Sequence, residues 1–194
     1  MRRFLDKLYK WSGLLAATFI ASICLLVFAQ VILNLIDRIA KMTTGSAIGL
    51  AIPSYADFTG FFLAASSFLA LAYTLREGGH IRVSLFIQNT GPKTRHFIEL
   101  WCLALALAAS AYFTWYAGHL VYESLKFNDL SAGMIAVPVW IPQSAMLIGL
   151  SILTIALIDE ITDVLKGNDP SYTGKGENLL ENEAPLPHAT TKEQ

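Results

Sequence analysis

Arg76, Glu77, His80 and Arg82 crowd into seven residues around the paired glycines Gly78 and Gly79. Side chains of these types suit anionic headgroups or a charged partner surface. Other residues with chemical potential are sparse. Gln30 and Asn34 are four apart, so they share a helix face that Arg38 continues. That face reads as a polar seam against a partner or as glue within the chain's own bundle. Asp57 stands where a carboxylate favours the amide dipoles of a helix start, and it could equally bridge to a partner. His119 has Glu123 four residues on, a spacing that makes a local contact. A haem would need a second histidine at similar depth, and His80, His96 and His188 all lie elsewhere. No GxSxG, HExxH, Walker or CxxC motif is present. No catalytic, cofactor-binding or metal-ligating residue is expected, and no cofactor.

The elements that must carry these residues follow from the charge pattern. Of the 194 residues, 54% are hydrophobic and 15% charged, against about 25% charged in an ordinary soluble domain. The net charge of −1 and the lack of a basic stripe argue against nucleic acid. Four runs contain no Asp, Glu, Lys or Arg: Trp11–Ile36, Phe58–Leu75, Leu100–Tyr122 and Leu130–Ile158. About 20 apolar residues cross the hydrocarbon core as a helix. None of the runs alternates as a barrel strand would. The expected fold is an all-α integral membrane protein. Its four transmembrane helices fall at about 11–36, 55–76, 97–122 and 138–159, with a short cytoplasmic interfacial segment between helices 2 and 3. The first run is too long for a signal-peptide core, so it reads as a retained helix.

Residues 1–165 are expected to form the membrane domain. Residues 166–194, rich in Gly, Pro, Asn and Glu, read as a disordered cytoplasmic tail. Residues 1–10 suit an interfacial lead-in, with Arg2, Arg3, Lys7 and Lys10 toward anionic headgroups. Eleven of the 14 Lys and Arg fall on the side that carries both termini, which places the N- and C-termini in the cytoplasm. Ser54 and Asp57 form an S-x-x-D start signal for helix 2, and Pro138 and Pro142 flank the start of helix 4. Small residues at close-approach spacing (Gly13, Ala17 and Ala21; Gly60, Ala64 and Ser67; Ala104 and Ala108, with Ala106 and Ser110 alongside) predict tight helix packing. Cys24 and Cys102 read as small buried apolar residues. Between His80 and Asn89, Ile81, Val83, Leu85, Phe86 and Ile87 point in many directions round a helix. Such a segment needs cover from more than lipid, and a partner protein would supply it.

At these residues the chain resembles the small permease subunit of a tripartite ATP-independent periplasmic (TRAP) transporter. The family's feature is a helix followed by R-x-G-x-H-I-R-V-x-L, which here runs from Arg76 through Gly78, His80, Ile81, Arg82 and Val83 to Leu85. Asp57 matches the acidic opening of the family's second helix, and Arg38 the arginine after its first. Pro138, Trp140, Pro142 and Gly149 match the start of its fourth. A proline often found just before that glycine is replaced by Met146–Leu147–Ile148, which removes the basis for a kink there.

The resemblance implies a scaffold subunit in the bacterial inner membrane. Its partners would be a large membrane transport subunit, a periplasmic substrate-binding protein and the lipid bilayer. The whole would import an organic acid driven by sodium. Arg76, Gly79, His80, Arg82, Val83, Asp57, Arg38, Gln30 and Asn34 are the candidate partner-interface residues. The alternative is a self-contained small transporter or channel acting as a homo-oligomer.

Overall fold

The computed structural model describes residues 2–46, 48–77 and 92–166. The tail from 167 onward and the segment 78–91 lie outside them, and with them the expected disorder and the interfacial segment. The described residues form four helices: α1 (Arg2–Thr44), α2 (Tyr55–Arg76), α3 (Pro92–Phe127) and α4 (Trp140–Leu165). All four are long and apolar enough to cross a membrane. Among the described residues there is no strand, and one isolated bridge joins Leu130 to Pro138. The protein is all-α.

Three helices outrun the apolar segments expected for them. The first is continuous from Arg2, so residues 2–10 form opening turns of the same helix. The reason lies in a face that continues past the charges: Leu5, Leu8, Tyr9, Ser12 and Ala16 recur every three or four residues and turn inward. Likewise α4 continues past Asp159 to Leu165, because Glu160, Asp163 and Val164 are all buried. At about 1.5 Å per residue, the 43 residues of α1 reach about 64 Å, roughly twice the hydrocarbon thickness. α1 must therefore tilt or project beyond the membrane.

The helices do not pack in chain order. α1 lies on α2, α2 on α4, and α4 on α3, with a smaller contact between α1 and α4. Between α1 and α2, the Ser12 hydroxyl donates to the Leu69 carbonyl, and Phe19 meets Phe62 with ring centroids 5.5 Å apart. Between α2 and α4 the approach is closest at Gly149. A Cβ there would lie 2.5 Å from the Phe68 carbonyl carbon and oxygen, so only glycine fits. Between α4 and α3, Thr154 donates to Ser110 (3.3 Å) and pairs with Thr114 (3.1 Å). One apolar cluster joins Tyr9, Ala72, Ile152 and Ala156; a second joins Leu103, Leu157 and Val164.

The small-residue expectation holds at Gly13, which sits against Tyr73. It fails at Ala17, Ala21, Gly60, Ser67, Ala104 and Ala108, which are exposed on outward faces. Ala16, Ala65 and Ala72 are the packed small residues instead. Alanine spacing alone cannot fix which stripe of an apolar helix faces inward. Cys24 and Cys102 are also exposed, against expectation, and face outward as ordinary small side chains can in lipid.

Candidate functional site

The polar side chains gather at the two ends of the bundle. At one end, α1 begins while α2 and α4 finish. Arg76, the last residue of α2, spreads its guanidinium between two carboxylates. Nη2 lies 2.7 Å from Asp6 Oδ1 on α1, and Nη1 donates to Asp159 Oδ2 on α4 at 2.8 Å. The Arg76 guanidinium carbon also stands 5.2 Å from the centroid of the Tyr9 ring, within cation–π range. A planar fork suits this double grip in a way an ammonium does not. Glu160 and Asp163 are buried at the same end. The Tyr9 ring is 1% exposed, and its hydroxyl makes no hydrogen bond among the described residues. Three helices are thus tied at one level by one arginine.

At the other end the loops are tied down. Gln30 is buried on α1, where its amide donates to Asn34 Oδ1 (3.1 Å) and its Oε1 accepts from the Ile52 amide (2.8 Å). Asp37 accepts from the Gly49 amide at 2.7 Å. Ser54 precedes α2 in the left-handed region (φ 55°), and its side chain makes no capping bond. Its hydroxyl instead accepts from the Ile135 amide at 2.9 Å, joining the loop before α2 to the loop before α4. The helix starts where the S-x-x-D signal put it, but the serine works across space. Asp57, in the first turn of α2, sits against Gly133: a Cβ there would fall 2.0 Å from Asp57 Oδ2. Asn128 (φ 52°) ends α3, and Asp129 donates back to the Ser124 carbonyl.

Of the sequence candidates, Arg76 belongs to the clamp at the first end. Gln30 and Asp57 belong to the loop assembly at the other. Asn34 and Arg38 are exposed on α1. Gly79, His80, Arg82 and Val83 lie outside the described residues. Gln30 spends its side chain on this chain's own loop. His119 and Glu123 make the expected i,i+4 contact, at 3.5 Å. Asp6, Tyr9, Asp159, Glu160 and Asp163 were missed. A usable clue to the first two was the Leu5–Leu8–Tyr9–Ser12–Ala16 spacing, which extends the inward face of α1 through its basic start.

The arrangement pairs charge and fixes helix ends. Among the described residues, no group of three or more His, Cys, Asp or Glu is placed to hold a metal ion. The polar contacts described here serve structure and surface, so relatedness must say what the surface serves. No curated protein and no solved structure matches the chain. A family model described as "Tripartite ATP-independent periplasmic transporters, DctQ component" matches residues 48–167. That stretch holds α2, α3, α4 and the joined loops, with Arg76 and its α4 carboxylate. It is well over half of the 194 residues, and the chain therefore belongs to the DctQ component family of tripartite ATP-independent periplasmic transporters.

Proposed function

We propose that this small subunit acts as the scaffold of a sodium-driven importer of an organic acid. It assembles with a large membrane subunit that moves the substrate and with a periplasmic protein that delivers it. It sits in the bacterial inner membrane with both termini in the cytoplasm, in keeping with its Lys and Arg distribution. It performs no catalysis of its own.

The observation that carries this reading is the continuity of all four helices. Secondary transporters build substrate and ion sites from interrupted helices at mid-membrane, where freed backbone groups coordinate the cargo. Here Thr154 on α4 bonds to Ser110 and Thr114 on α3, so these polar side chains within the spans serve helix packing. The segment that follows α2, with His80, Arg82 and Val83, is the proposed dock for the large subunit.

Reconstitution tests the reading. Liposomes holding this chain alone should show no uptake of an organic acid under a sodium gradient. Uptake should require the large subunit and the binding protein together. Flux from this chain alone would establish the self-contained channel or transporter instead.

A further inference from the structure

The first turns of α1 carry two faces of different character. Asp6 and Tyr9, three residues apart, turn toward Arg76. Lys7 and Lys10, also three apart, lie about a hundred degrees round the helix and are exposed. Trp11 is 67% exposed beside them, and Leu14 (57%) and Leu15 (49%) follow on the same outward side. Down this face the order is two ammonium groups, an indole, then aliphatic side chains, all within about three helical turns.

The clamp fixes the level of this column in the membrane. Arg76 and Asp159 immediately bound the apolar runs of α2 and α4, and Lys10 immediately bounds that of α1. Three helices therefore mark one boundary plane, with Lys7 and Lys10 just outside it. The two lysines set the sign of the outward face. Asp6, the one acidic residue among the first ten, is held against Arg76 at 2.7 Å, and that guanidinium divides its single charge between Asp6 and Asp159. What the outward face presents is positive.

We propose that Lys7, Lys10 and Trp11 form a docking site for an anionic phospholipid. The lysines take the headgroup phosphate, the indole sits at the glycerol level, and the acyl chain lies along Leu14 and Leu15. The column matches a phospholipid layer by layer, and the charge is complementary only to an anionic one. Arg76 contributes by holding the Asp6 carboxylate toward the bundle. The inference rests on the membrane-spanning fold and not on the transporter role.

The test uses the full-length chain in micelles doped with equal phosphatidylglycerol and phosphatidylcholine, with retained lipid counted by native mass spectrometry. A basic residue near an anionic surface contributes about fivefold in partitioning. The double variant Lys7→Gln/Lys10→Gln should therefore lose phosphatidylglycerol enrichment by about 30-fold. Lys7→Arg/Lys10→Arg should keep it, and raised salt should weaken it in the unaltered chain. Asp6→Asn should not lower enrichment, because it removes a negative charge and leaves both lysines in place. The proposal is overturned if the unaltered chain shows no enrichment or if the double glutamine variant keeps it.

Discussion

Arg76 at the end of α2 and Asp159 near the end of α4 meet at 2.8 Å, each with only 15% of its side chain exposed. The same guanidinium reaches Asp6 at 2.7 Å, but that carboxylate is 51% exposed. The two bonds are alike in length and unlike in setting. Water screens one and is mostly kept from the other. Their contributions to stability should separate accordingly.

Asp159→Asn should lower the thermal stability of the purified chain by about 1.5–3 kcal/mol, as loss of a charged hydrogen bond in a sheltered site does. Asp6→Asn should cost less than about 1 kcal/mol. Equal losses on thermal unfolding would mean that the exposure difference does not govern the clamp.

Gly149→Val should destabilise the bundle by about 1–3 kcal/mol, because overpacking must be relieved by moving backbone. The obstacle is the Phe68 carbonyl, which has no rotamer to retreat into. Gly60→Ala is the control: nothing lies within 4 Å of the added Cβ. Its melting temperature and yield should match those of the unaltered chain. A similar loss at both positions would show that glycine matters for helix flexibility rather than for close approach.

Gln30→Leu should destabilise this chain even without its partner. The substitution strips the Ile52 amide of its acceptor, a loss of about 1–3 kcal/mol for a sheltered donor. Asn34→Leu should do much less, since Asn34 is exposed and, among the described residues, its side chain bonds to Gln30. Limited proteolysis of the 45–54 loop offers a direct readout, with faster cleavage for the Gln30 variant only. Unchanged cleavage would return Gln30 to the role of a partner-facing seam.

For the proposed topology, reporter fusions after Thr44 and after Phe127 should read as periplasmic. A fusion after Lys166 should read as cytoplasmic. A periplasmic signal at Lys166 would refute the placement of both termini inside.

The four helices were legible because a charge-free run of sufficient length has one stable form in lipid, whatever its neighbours. The start of α2 after Ser54 was legible from a local signal for the same reason. The inward faces were harder to read. In a helix that is apolar all round, hydrophobicity does not distinguish a packed side from a lipid-facing one, so Ala104 and Ala108 looked equivalent to Ala65 and Ala72. The clamp was half legible. Arg76 stood out, but its partners Asp6 and Asp159 lie 70 and 83 residues away. Nothing local in the sequence pairs charges across three helices. Ser54 shows the opposite failure: its position was right and its bonding partner, Ile135, came from a distant loop.

The packing order has a consequence for how the chain is made. Among the described helices α2 and α3 follow one another, yet both find their main shared neighbour in α4, the last of the four to leave the ribosome. α1 and α2 can join as soon as both are in the bilayer. α3 must then wait beside them, with its Ser110 and Thr114 hydroxyls bonded only to its own backbone, until Thr154 arrives. A nascent chain halted before α4 would hold one formed pair and one solitary helix, which is the species a membrane quality-control protease would meet.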